Sequence, residues 1–136
     1  MKRILAVLAA ATLFVAANHA QAQDEHHKRV ALETMNGSGI SGWVNIVQLP
    51  KGGSNIVVTI QGLQDGASYA SFYYESSDCS EPADQFQTFT GTSTGTITLH
   101  GKIDDDLDEV GSVSVRVGPG YGDLLACADV AAGAKQ

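Results

Sequence analysis

The chain has 136 residues, with 8 Lys and Arg against 15 Asp and Glu for a formal charge of −7. So few cations exclude a nucleic-acid duplex as partner, since phosphate binding draws on clustered Lys and Arg. A composition 43% hydrophobic and 17% charged is that of a folding chain, not a disordered one, and the length fits one domain.

At the N-terminus Lys2 and Arg3 precede an apolar run from Ile4 to Ala17, and Ala20-Gln21-Ala22 supplies a small-x-small cleavage pattern. Residues 1–22 therefore read as a secretory signal peptide, too short in its apolar run to span a bilayer comfortably. Cleavage removes two cations and no acid, taking the formal charge from −7 to −9. The expected location is periplasmic or secreted, with no membrane association after cleavage. Residues 23–28 read as a flexible N-terminal tail containing the pair His26 and His27, residues 29–131 as the folded domain and residues 132–136 as a C-terminal tail.

Through the domain the hydrophobic period is two and the segments are short, which predicts an all-β fold. Eight strands are expected: Arg29 to Met35, Gly42 to Leu49, Asn55 to Gly62, Ala67 to Glu75, Gln87 to Thr90, Gly95 to Lys102, Ser112 to Val117 and Leu124 to Val130. In the third, Ile56, Val58 and Ile60 share a face; in the seventh, Val113, Val115 and Val117 oppose Ser112, Ser114 and Arg116, so both read as half-buried. Asn36-Gly37, Gly52-Gly53, Asp65-Gly66 and Gly118-Pro119-Gly120 supply turn chemistry between them. Eight strands of this length predict an antiparallel Greek-key sandwich or barrel. The only cysteines, Cys79 and Cys127, form an even pair in an exported chain, which argues for one disulfide; free or metal-binding thiols are the alternative.

Three apparent motifs carry no chemistry. Gly37-Ser38-Gly39-Ile40-Ser41-Gly42 fits a dinucleotide fingerprint but leads into a strand-like segment, with no helix N-terminus to hold a pyrophosphate. Asp104-Asp105-Asp106-Leu107-Asp108-Glu109 alternates carboxylates like a calcium loop, yet Glu109 stands where the sharp turn needs glycine, so a solvated acidic loop is expected. His100, the only histidine inside the expected domain, has no nucleophile motif directed at it.

The segments Gly39 to Ile46 and Val57 to Gly66, with Gly62-Leu63-Gln64-Asp65-Gly66 at their end, resemble the opening of copper/zinc superoxide dismutases. Gly122-Asp123-Leu124-Leu125-Ala126-Cys127-Ala128 is similar to the family's Gly-Ser-Arg-Leu-Ala-Cys-Gly. The resemblance implies a superoxide dismutase-like Greek-key sandwich in which Cys127 pairs with Cys79. It also implies where the metal ligands would fall. Two copper positions counted from Gly66 hold Ser71 and Tyr73, a third falls at Arg116 or Val117, and the zinc loop has no counterpart in Ser80 to Phe86. A hydroxyl and a phenol do not replace imidazoles at a copper that changes oxidation state.

The expectation is a non-catalytic module without a cofactor in the domain, whose partner is an unknown protein or small ligand. Its binding face is expected to carry Tyr69, Ser71 and Tyr73 together with Arg116, with Ala70, Phe72 and Tyr74 turned toward the core. A second role is copper or zinc handling through His26 and His27, with Asp24 and Glu25 beside them. Residual dismutase activity ranks last.

Overall fold

The computed structural model describes residues 26–131. The expected signal peptide, residues 23–25 and the C-terminal tail lie outside the described residues. The strands are β1 (His27–Thr34), β2 (Ser41–Gln48), β3 (Ser54–Gln61), β4 (Ser68–Tyr74), β5 (Ala83–Thr90), β6 (Ile97–Ile103), β7 (Ser112–Val117) and β8 (Leu124–Asp129), with one 3-10 turn at Leu107–Glu109. Among the described residues no helix is long and apolar enough to cross a membrane.

All ladders are antiparallel and run in the order β5-β4-β7-β8-β1-β2-β3-β6. The pairings of β3 with β6 and β4 with β7 are Greek-key crossovers, and they fold the sheet into a nearly closed barrel. At the seam between β5 and β6, Gln87 Nε2 donates to the carbonyl of His100 at 2.6 Å. Alternation drives the closure, because every second residue of the central strands must leave water. Val44, Ile46, Ile56, Val58, Ile60, Val113 and Val115 are fully buried within the barrel, and Leu107 closes one end.

Boundaries differ from expectation in two informative places. β1 starts at His27, two residues into the expected tail, because His27 and Lys28 pair with Val47 and Ile46. β5 starts at Ala83, four residues early, because Asp84-Gln85-Phe86-Gln87 lacks a two-residue apolar period yet pairs with β4 around a bulge at Ser71 and Phe72.

Cys79 and Cys127 form a disulfide that ties the segment after β4 to β8 across 48 positions of sequence. Cys79 has φ 58°, a left-handed conformation unusual for a residue with a Cβ. It is held there by a hydrogen bond from its N–H to Ser112 Oγ at 3.0 Å. The Ser112 hydroxyl in turn donates to Ser76 O at 2.6 Å, so the loop 75–82 is fastened over the outside of β7. β7 is for that reason buried on both faces, against the half-buried expectation: Ser112 and Ser114 are as inaccessible as Val113 and Val115.

Candidate binding face

β4 does not present Tyr69, Ser71 and Tyr73 to solvent. These three share the barrel side of the strand, so the expected binding face is corrected to an inner face. Tyr69 is buried among core residues and its hydroxyl accepts the N–H of Gln64 at 2.8 Å. Ser71 is fully buried and donates to Ser114 O at 2.9 Å. The Tyr73 ring packs against the core from a partly exposed position; burial, then the carboxylates of Asp84, Asp105 and Asp104, pushes its phenol above the usual range. The physical reason is that both faces of β4 are covered, one by the barrel and the other by the disulfide loop.

Ala70, Phe72 and Tyr74 are also buried, but on the outer side of the sheet, beneath the disulfide loop, where Arg116 joins them. Its guanidinium donates through Nε to Tyr74 Oη at 2.9 Å, through Nη1 to Gly122 O at 3.0 Å and through Nη2 to Cys79 O at 3.0 Å. It also lies 3.9 Å over the Tyr121 ring, which meets Phe72 edge-on at 4.9 Å. Burial, then a hydrogen bond with the Tyr74 hydroxyl, pushes the Tyr121 phenol up to about 12, against the opposing pull of Arg116. Of the four expected face residues, Arg116 alone is on this side. Val117, the alternative position, is exposed on the other side of the strand. The arrangement is a clamp: a planar fork with several donors fixes three chain segments at once, which a point cation cannot do.

Among the described residues, the opposite half of the barrel has no such cover. Outward residues of β1, β2, β3 and β6 lie in register as His27-Val47-Asn55-Lys102, Arg29-Asn45-Val57-His100 and Ala31-Trp43-Thr59-Thr98. Trp43, the only tryptophan, is 46% exposed, and the Arg29 guanidinium sits 4.6 Å from its ring centroid. None of these twelve positions is a carboxylate, although the chain carries 15 Asp and Glu; the next outward position of β1 beyond Ala31 is Glu33. The acids gather elsewhere, among them Asp84, Asp104 and Asp105 near the Tyr73 hydroxyl.

No protein-family model and no curated protein matches the sequence.

The Trp43 face was readable without a structure. Within the expected strand Gly42 to Leu49, alternation sends Val44 and Ile46 inward and Trp43, Asn45 and Val47 outward. A large aromatic on the outward side was the missed signal.

His26 and His27 are not brought together. His27 belongs to the outward row of β1, whereas His26 precedes the strand on the other side and lines a recess with Gln48, Asp106 and Asp108. The acidic loop is also more than a solvated segment. Asp106 Oδ1 accepts from Gly53 N–H at 2.8 Å and Gln48 Nε2 at 3.0 Å, Glu109 reaches back to the Asp106 N–H, and Leu107 is buried. Asp106, Asp108 and Glu109 place carboxylate oxygens within 4.8 Å of one another, and two of the three carry the capping bonds that hold the turn. The Gln48 bond, then the Gly53 bond, keeps the Asp106 carboxyl below the usual range.

Proposed function

We propose that this chain is an exported, non-catalytic binding module with a superoxide dismutase-like architecture, working in the periplasm or outside the cell through the outer face of β1, β2, β3 and β6. One observation carries the proposal: a half-exposed Trp43 braced by Arg29 on a face whose three central rows hold Arg29 and Lys102 and no carboxylate, with Glu33 standing at the end of β1 beyond them, on a chain of formal charge −7. Exposed tryptophan and arginine are favoured anchors because they bury a large rigid area with polar groups at its margin. The Greek-key order and the disulfide after β4 support the architectural part. The disulfide is compatible with an oxidising compartment. The non-catalytic part rests on the positions that the resemblance implies for copper: Ser71 and Tyr73 face the core, and Arg116 is occupied in the clamp.

The lone tryptophan makes the test direct. Neutral and acidic oligosaccharides, poly-glutamate, anionic vesicles and duplex DNA are screened for protection of Trp43 from acrylamide quenching, and amide shifts are mapped by NMR. Protection with shifts confined to β1, β2, β3 and β6 is the expected result. Shifts confined to the Arg116 clamp, or no protection by any class, would overturn the assignment.

A further inference from the structure

We infer that the ligand of the Trp43 face is an acidic oligosaccharide, a chain of sugar rings bearing carboxylate or sulfate groups, laid over β2 and β3 with its charges toward the flanking strands. This rests on the binding-face reading above and adds the class of ligand.

The layout of the face supports it. Arg29 and His27 mark one margin on β1, and His100 and Lys102 the other on β6. Three strand spacings separate the margins, about 14 Å, and successive outward residues along a strand are about 7 Å apart. Between the margins lie Trp43, Asn45, Asn55 and Thr59, with Val47 and Val57 filling the gaps. The indole offers a flat apolar surface to the C–H side of a sugar ring. The two asparagine amides each offer donors and an acceptor, as a polyhydroxylated ligand requires. Arg29 and Lys102 supply permanent charge for acid groups, Arg29 with a fork suited to two oxygens at once.

Other anionic ligands fit less well. An extended peptide binds by adding a strand to an open edge, but β1, β2 and β3 each have a partner on both sides, so the ground around Trp43 offers side chains only and the open edge lies away from it on β6. A duplex asks for a denser cluster of cations than Arg29 and Lys102. A membrane surface asks for a continuous apolar face, whereas Val47, Val57 and Trp43 are interleaved with Asn45, Asn55 and Thr59.

The test uses the full disulfide-bonded protein with a short oligogalacturonate, its fully methyl-esterified counterpart, poly-glutamate and phosphatidylglycerol vesicles, read by calorimetry and Trp43 emission. Oligogalacturonate is expected to bind, more weakly as salt rises, and the ester to bind at least about tenfold more weakly. Trp43→Ala should raise the Kd about tenfold or more, and Arg29→Ala and Lys102→Ala about three- to tenfold each. Lys51→Ala, an exposed cation on the turn between β2 and β3, should leave it unchanged. Equal binding of acid and ester, or tighter binding of poly-glutamate or vesicles, overturns the ligand class and leaves the binding face standing. Failure of every probe to alter Trp43 emission overturns both.

Discussion

Tyr69→Ala tests the placement of β4, because the same substitution is cheap on an exposed strand face and costly inside the barrel. The side chain is 6% exposed, its ring stacks on Phe89 at a centroid distance of 5.5 Å, and its hydroxyl accepts from Gln64 N–H at 2.8 Å. Tyr69→Phe removes only the acceptor, leaving the Gln64 N–H without a partner, which costs about 1–2 kcal/mol. Tyr69→Ala also vacates the ring, and emptying an aromatic site in a packed core costs about 3–5 kcal/mol. The two contributions together come to about 4–7 kcal/mol. For a domain of this size, with a total stability of roughly 5–15 kcal/mol, that is a large share. Urea unfolding of parent, Tyr69→Phe and Tyr69→Ala provides the measurement, followed by far-UV circular dichroism because Trp43 is already half-exposed in the native state. A Tyr69→Ala loss below about 1 kcal/mol, the range of surface substitutions, would refute the inward placement of Tyr69, Ser71 and Tyr73.

The remaining predictions concern the covalent tie, the clamp and the acidic loop. Cys127→Ser opens a loop of 48 positions and is expected to lower stability by about 4 kcal/mol, with the reduced parent falling to a similar value in the same urea titration. Arg116→Met should cost about 2–3 kcal/mol by stranding the carbonyls of Cys79 and Gly122 and leaving Tyr74 Oη with Ser114 Oγ, and Arg116→Lys should recover only part of it. The Asp106 carboxyl is held below its usual range in the fold, so its contribution is present above the ordinary carboxylate range and is lost as pH falls through the folded value. Asp106→Asn should therefore flatten the acid limb of a stability-against-pH curve. Asp105 is raised by burial and then by Asp84, the opposite sense, so Asp105→Asn should stabilise the protein near neutral pH.

How much the sequence disclosed follows from what each residue's position depends on. Strict alternation in Asn55 to Gly62 and Ser112 to Val117 placed β3 and β7 to within a residue, because one buried face is enough to set a strand's register. The disulfide was legible from cysteine count together with the family resemblance. The orientation of β4 was not. Tyr69-Ala70-Ser71-Phe72-Tyr73-Tyr74 has substantial side chains on both sides, so alternation cannot say which faces solvent when a loop distant in sequence covers the second face. β5 was read short because its ladder with β4 is set by pairing around a bulge, which no local period reports. Asp106 looked solvated because its partners, Gln48 and Gly53, lie more than fifty positions away.

The unequal cover of the two halves of the barrel separates what the chain can change from what it must keep. On the side of β4 and β7, a substitution meets the core, the disulfide loop or the Arg116 fork, so drift there is paid in stability. On the side of β2 and β3, the outward positions Trp43, Val47 and Asn55 are exposed, and exchanging them leaves Val44, Ile46, Ile56 and Val58 in place. Selection can therefore act on the twelve outward positions as a nearly independent alphabet. Homologous barrels that keep the two cysteines and the inner residues should diverge first along the rows that contain Arg29, Trp43 and Lys102, and with them in the ligand they prefer.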